Sequence, residues 1–153
     1  MKSYLTVLLF IPVLFSACNS NTTPGAKTAA DSTATEKKSV SECYDYFSDK
    51  DSISLHITLA GKAIAGELLY RIFEKDQNKG SLQGEMHGDT LLAEYTFISE
   101  GIESVREVAF LKKGNGFAEG YGEAEEKDGK LLFKNPGALN FSNTVVLKKS
   151  DCR

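Results

Sequence analysis

The sequence contains no tryptophan, only two histidines and three cysteines among its 153 residues. Neither sign of charge dominates, because 18 basic residues face 21 acidic ones and the formal net charge is −3. Without a basic excess the chain lacks the electrostatic attraction on which nucleic-acid binding depends. The hydrophobic share of 41% is too large for a wholly disordered chain, and the length suits one ordinary domain.

Residues that commonly carry enzymatic or metal chemistry are scarce. The sequence has no Gly-x-Ser-x-Gly pattern, phosphate-binding loop or dinucleotide-binding fingerprint. His56 and His87 fall on the polar rows of their predicted strands, with no second histidine or cysteine expected nearby. The acidic residues Glu100, Glu103 and Glu107 are expected to be solvated rather than paired for glycoside hydrolysis. We therefore expect no enzyme, no metal site and no cofactor.

Residues 1–17 have the features of a secretory signal peptide. Lys2 gives a short positive start, and the run from Leu5 to Phe15 is almost wholly apolar. This run is too short to span a hydrocarbon core, which needs about 20 residues, but its length suits a cleaved signal. Residues 14–18 read Leu-Phe-Ser-Ala-Cys and resemble a bacterial lipobox, with phenylalanine where leucine is usual. The pattern predicts lipidation of Cys18; the alternative is a plain signal peptide with an incidental cysteine.

Residues 18–42 are predicted to form a lipidated cysteine followed by a flexible linker. Between Asn19 and Val40, twelve of twenty-two residues are serine, threonine or alanine. Such a composition cannot bury enough apolar surface to offset the entropy lost on folding. Asn19 is not acidic, so nothing beside Cys18 indicates retention at an inner membrane. We expect a bacterial envelope protein that is lipid-anchored to a membrane, at the outer membrane facing the periplasm.

Two cysteines remain once Cys18 carries lipid. Cys43 and Cys152 lie at the two ends of the remaining chain, and an exported protein meets an oxidising compartment. A disulfide between them would tie the first strand to the last and contribute about 4–5 kcal/mol in the loop-entropy model. The globular domain is therefore predicted to span residues 43–153. The alternative, two free thiols in a reducing cell interior, conflicts with the signal peptide.

The chain after Cys43 consists of short alternating runs separated by turn residues. Alternation of apolar and polar residues predicts strands with one buried and one wet face. The clear runs are Ser52–Leu59, Gly66–Phe73, Ser81–His87 and Leu91–Ser99, and the weaker ones are Phe117–Gly122, Leu131–Lys134, Leu139–Phe141 and Thr144–Lys148. About eight to ten strands in this space predict an all-β fold, an antiparallel meander that closes into a small barrel.

The stretch from Ile98 to Lys113 is compatible with a helix or a strand. Ser99 would cap a helix and Gly114 would end it. Read as strands, the residues on either side of Gly101 stand at hairpin spacing. We favour the strand.

The lipobox, the polar tether and the predicted barrel together resemble small bacterial envelope lipoproteins. Glycine-led strands at Gly66, Gly80 and Gly88 resemble those of lipocalin-like and avidin-like barrels. The stretch from Gly80 to Gly122 is similar to a recurring, poorly characterised group of such lipoproteins. The tryptophans of the lipocalin entry motif and of the avidin ligand site are absent. The resemblance implies a barrel and at most a cavity.

A barrel of this size is either filled by side chains or holds one small ligand. Tyr70, Tyr95 and Arg106 are predicted to point inward, where they would bind a small, partly apolar or anionic ligand. In the alternative they complete a solid core, Arg106 pairs with Glu100 or Glu107, and the partner is a protein or a cell-wall polymer. A cavity lined by the three residues would favour the first hypothesis.

Overall fold

A computed structural model of the chain describes residues 38–142 and 144–152. The predicted signal peptide, Cys18 and most of the predicted linker lie outside the described residues. Ten strands follow one another along the chain, with a short 3₁₀ helix, Pro136–Ala138, before the last. The strands are β1 Val40–Phe47, β2 Ser52–Ala60, β3 Ala63–Arg71, β4 Asn78–His87, β5 Thr90–Ser99, β6 Ile102–Lys113, β7 Gly116–Gly120, β8 Ala124–Lys127, β9 Lys130–Phe133 and β10 Val146–Ser150.

Eight of these strands close into a barrel. Strands β1 to β7 form an antiparallel meander in which each strand pairs with the next. Strand β10 lies between β7 and β1 and pairs antiparallel with both, which completes the ring. Closure leaves none of the eight strands as a free sheet edge. The predicted all-β meander that closes into a barrel is confirmed.

The region after the meander differs from the predicted strands. Strands β8 and β9 form a hairpin outside the ring, and β9 runs parallel to β6 where Leu131 lies opposite Arg106. The sequence pattern predicted no strand at β8. The predicted strand Leu139–Phe141 is wrong, because Pro136 begins a 3₁₀ turn and a single bridge, Tyr121 to Asn140, follows it. The Asn140 side chain then accepts a hydrogen bond from the Ser142 amide and turns the chain, so pairing stops at that one bridge.

The ambiguous stretch from Ile98 to Lys113 is strand, as favoured. Strand β6 pairs with β5 along its length, from Ser99 opposite Ile102 to Thr90 opposite Leu111. Glu100 and Gly101 form the turn, with φ of 51° and 78°.

The seam of the barrel carries the predicted Cys43–Cys152 disulfide. The two Cα atoms are 5.2 Å apart across a sequence separation of 109 residues. Cys43 lies opposite Ser150 where β1 pairs with β10. Strand β1 begins at Val40, within the predicted linker, because Val40 and its neighbours pair with the end of β2.

The two ends of the barrel differ in the turns they carry. We call the end where β1 begins the entry end; it carries the β2–β3, β4–β5 and β6–β7 turns. The far end carries the β1–β2, β3–β4 and β5–β6 turns.

Side chains from the inward rows fill the barrel interior. The period of two places alternate residues of each strand inside, where burial of apolar surface stabilises the fold. The largest fully buried side chains are Tyr44, Tyr95, Phe110, Phe117, Leu55, Ile57, Leu68, Leu82, Leu91 and Leu147.

Candidate functional site

The three residues predicted to point inward lie together in the barrel. Arg106 in β6 is directly opposite Tyr95 in β5, so both occupy inward positions. The guanidinium carbon of Arg106 lies 5.1 Å from the centroid of the Tyr70 ring and 5.5 Å from that of Tyr95. It also lies 5.5 Å from the Phe97 ring. Cations over aromatic faces are attracted electrostatically, so the rings hold the guanidinium in place.

A fourth member of the cluster, Glu119, was not predicted. Glu119 lies in β7, is 5% exposed, and is the only buried charged residue in the part of the chain that the structure describes. Its Oε1 accepts a hydrogen bond of 2.6 Å from the Tyr70 hydroxyl, and its Oε2 accepts one of 2.8 Å from Tyr121. Alternation would have placed Glu119 on the same row as Phe117, but the run is short and flanked by glycines.

The Tyr70–Glu119 hydrogen bond crosses the barrel. Strand β3, which carries Tyr70, and strand β7, which carries Glu119, stand four positions apart in either direction around the ring of eight. Strands in that relation face each other across the lumen. The bond therefore spans the interior, and the lumen at this level is filled rather than open.

The hydroxyls of this cluster stay protonated at neutral pH. Burial, reinforced by the Glu119 carboxylate, raises the pKa of Tyr70 well above its ordinary value, and Arg106 opposes this only in part. Burial and Glu119 also raise the pKa of Tyr121. Burial raises the pKa of Tyr95 to about 12, again with Arg106 acting in the opposite direction. Each tyrosine is therefore a permanent hydrogen-bond donor in the folded protein.

Tyr95 is also engaged within the protein. Its hydroxyl donates a hydrogen bond of 2.9 Å to the carbonyl of Asn78, and its ring stacks on Phe97 with centroids 4.7 Å apart. The hydroxyl of Tyr70 is bound by Glu119 in the same way. Both tyrosines thus belong to the core cluster, and their donor hydrogens are already used.

Arg106 does not pair with Glu100 or Glu107, which corrects the alternative drawn from the sequence. The Glu107 carboxylate instead accepts a hydrogen bond of 2.8 Å from the Phe133 amide. Among the described residues no carboxylate lies within ion-pair distance of Arg106. Its Nε is buried and has no acceptor there. A buried donor without a partner lowers the stability of the fold, so an acceptor at this atom would be stabilising.

Two clefts meet at Arg106. A cleft of about 150 Å³ is lined by Arg106, Glu119 and Tyr121, and one of about 430 Å³ by Phe97, Ser104 and Arg106. Leu131 of β9 borders both. The larger cleft falls within the range of about 300–1,000 Å³ typical of small-ligand sites. A groove of about 720 Å³ along β1 and β10 contains none of the cluster residues.

His56 lies beside the disulfide, contrary to the expectation from the sequence. It is directly opposite Cys43 in the β1–β2 ladder. The donor atoms of Cys43, His56 and Cys152 all lie within 4.8 Å of one another. The expectation that no cysteine is near this histidine is therefore wrong, because strand register rather than sequence spacing sets the neighbours.

Comparison of the chain with protein-family models, with curated proteins and with solved structures found no match. No helix within residues 38–142 and 144–152 has the length and apolar character needed to cross a membrane. The fold itself defines a class: an antiparallel barrel of eight strands, consistent with a lipocalin-like barrel.

Proposed function

We propose that this protein is a membrane-anchored lipoprotein of the bacterial envelope whose barrel binds a small, partly apolar ligand at the clefts beside Arg106. The buried Nε of Arg106, which has no acceptor among the described residues, carries the proposal. The same side chain lines both clefts. In this proposal a ligand oxygen in the clefts accepts from the half-buried guanidinium, and the side chain turns its Nε toward that acceptor.

The chemistry of the larger cleft limits the ligand. Arginine only donates hydrogen bonds, so the ligand presents a carboxylate or carbonyl oxygen to Arg106. Phe97, Val105 and Leu131 supply apolar walls for the rest of the molecule. Glu103 and Glu126 also line the cleft, so a ligand with several negative charges is disfavoured.

The proposed site is at the wall of the barrel and not at the centre of the lumen. Tyr70 and Glu119 are bonded across the interior at this level. Both tyrosines predicted as ligand contacts have bound hydroxyls. In this proposal the rings of Tyr70 and Tyr95 hold the guanidinium in place, and Arg106 contacts the ligand.

Native mass spectrometry of the full chain, purified in detergent from its own envelope, tests ligand binding. We expect a retained small molecule, lost in Arg106→Ala and kept in Arg71→Ala. Arg71 is the matched control because it is exposed and, within residues 38–142 and 144–152, its side chain bonds only to Gln77. Equal retention by Arg106→Ala, or no retention by the unmodified chain, would contradict the proposal.

Membrane anchoring is proposed from residues 14–18 and the polar linker that follows. We expect Cys18→Ser to lose the mass of the acyl chains and to move from the membrane fraction to the soluble fraction. Several acyl chains are needed for durable anchoring, since one gives only marginal binding. A Cys18→Ser variant that stays in the membrane fraction would argue against the anchor.

A second candidate is a non-catalytic interaction or structural lipoprotein with a solid barrel. Its support is the position of the exposed large apolar side chains: among the described residues all but Val40 lie on the far half of the barrel. A protein partner that covers this end of the barrel would remove these side chains from water. The far-half residues are Phe47, Phe73, Ile98, Ile102, Tyr121, Leu131 and Val146.

Photo-crosslinking in the intact envelope separates the two candidates. A crosslinking residue at Ile98 or Ile102 would capture a protein partner in the second case, and one at Val40 would not. If the small-ligand function is correct, neither position gives a specific protein crosslink and the Arg106→Ala variant loses its ligand.

A further inference from the structure

The seam of the barrel places two sulfurs and an imidazole side by side. Cys43, His56 and Cys152 have their donor atoms within 4.8 Å of one another. Register creates this arrangement, because Cys43 lies opposite His56 on one side and opposite Ser150 on the other. We propose that the reduced seam binds a thiophilic divalent metal ion, such as Zn²⁺, through both sulfurs and a ring nitrogen of His56.

The donor set and its spacing suit this ion. Two thiolates and one imidazole are common zinc ligands, and the fourth position is open to water or a carboxylate. With Zn–S bonds of about 2.3 Å, two thiolates on a tetrahedral ion lie about 3.8 Å apart. In the oxidised seam the two sulfurs are bonded to each other, so they must move apart to that separation after reduction, while the imidazole already lies within 4.8 Å of both.

The surroundings supply both access and supporting carboxylates. His56 and Cys152 are exposed and Cys43 is half-buried. Glu67 lies opposite His56 in the β2–β3 ladder, and Asp151 precedes Cys152. Both acids line one groove with Cys43 and His56. A carboxylate near a metal-bound histidine fixes its orientation and raises its basicity.

The metal binds only after the disulfide is opened. A protein dithiol attacks the Cys43–Cys152 bond through a mixed disulfide, gives up two electrons and two protons, and itself becomes a disulfide. The seam then carries two thiols. The divalent ion forms two sulfur bonds and one nitrogen bond and displaces the two thiol protons. The site is thus vacant in oxidised protein and available in reduced protein.

Cobalt(II) is the probe for this site, because its thiolate complexes absorb visible light. The full chain in detergent is reduced anaerobically with a phosphine and titrated with Co²⁺. We expect one equivalent to bind with thiolate charge-transfer and tetrahedral absorption bands, and no such bands before reduction. His56→Gln should weaken Co²⁺ binding by about tenfold or more, since a ligand is lost. His87→Gln is the matched control, being the exposed histidine of β4, and should change nothing.

Three titration results would each overturn the proposal. They are the absence of Co²⁺ binding to the reduced chain, equal binding by the oxidised chain, and equal affinities for His56→Gln and His87→Gln. Far-UV circular dichroism accompanies each titration. If the reduced chain loses its strand spectrum and Co²⁺ does not restore it, the site does not exist.

Discussion

A single buried carboxylate organises the polar part of the interior. Glu119 accepts hydrogen bonds from Tyr70 and Tyr121 with separate oxygens, so neither tyrosine is left unpaired. Removing one partner of a buried pair costs more than the pair contributes, because the other group is then stranded. The effect of each residue therefore depends on the presence of the other.

A double-mutant cycle on Glu119 and Tyr70 measures this dependence. We expect Glu119→Ala to lower the free energy of unfolding by about 2–4 kcal/mol. Tyr70→Phe should cost about 1–3 kcal/mol in the unmodified protein and close to nothing in the Glu119→Ala background. Urea unfolding provides the measurement, with Glu125→Ala in the exposed strand β8 as control. Additive effects would show that the two residues do not interact.

The raised tyrosine pKa values predict a limit at alkaline pH. The folded state favours the neutral form of Tyr70, Tyr95 and Tyr121, whose ordinary pKa is 10.0. The stabilisation is therefore complete below about pH 10 and is lost as pH rises toward the folded-state values, about 12 for Tyr95. Tyrosinate absorbance and circular dichroism should change together above pH 10. Ionisation of these residues in a chain that keeps its fold would contradict the assignment.

The sequence indicated part of the site at this scale. Period-two alternation placed Tyr70 and Tyr95 inside, because each sits on a clear apolar row. Arg106 also faces inward, but it lies in the stretch that the sequence left open between helix and strand. Alternation missed Glu119, whose strand is short and contains Gly116 and Gly120. It also missed the pairing of His56 with Cys43, since that contact depends on register between two strands. Alternation shows which face of the sheet a side chain occupies, but it does not show which residue lies beside it on the next strand.

At the scale of single elements, glycine determines how closely β4 packs against β5. Gly84 lies opposite Ile64 of β3 and Ala93 of β5, so its backbone is held on both sides. A Cβ at Gly84 would lie 2.5 Å from the Ala93 Cα and overlap the Leu92 carbonyl. A strand paired on both sides has little freedom to shift away.

We therefore expect Gly84→Ala to destabilise the protein by about 1–3 kcal/mol, the usual cost of overpacking. The Ser81→Ala change in the same strand should stay within about 0.5 kcal/mol, because Ser81 is exposed. Chemical unfolding of both variants gives the comparison. Equal stabilities for the two would mean that the strands can separate at this point.

Strands β2 to β5 were predicted best, whereas β6, although it has 12 residues, was ambiguous because each of its rows carries a charge among apolar neighbours. Strands β2 to β5 each hold nine or ten residues, enough for the alternation to repeat several times. The four-residue strands β8 and β9 offer almost no repeat, and β8 is exposed along its whole length. Short elements outside the ring depend on contacts with β6 rather than on their own pattern.

At the scale of the whole molecule, the barrel is closed by two short ladders, which strand β10 forms with β1 and with β7. Strand β1 has eight register pairs with β2 but three with β10, and β10 has three with β7. The seam is reinforced by an ion pair of 2.8 Å between Glu42 and Lys149 and by the Cys43–Cys152 disulfide. The disulfide is the stronger tie, because an ion pair with an exposed lysine contributes at most about 1 kcal/mol.

Loss of the disulfide should therefore lower the free energy of unfolding more than loss of any single surface contact does. Closing a loop of 109 residues is worth about 4–5 kcal/mol in the loop-entropy model. For a domain of this size we expect a Tm lower by about 15 °C or more in the Cys43→Ala, Cys152→Ala double variant. Cys18→Ser removes the third cysteine without touching the seam and should leave the Tm unchanged. If the double variant has the same Tm as the unmodified protein, the short β10 ladders alone hold the barrel closed.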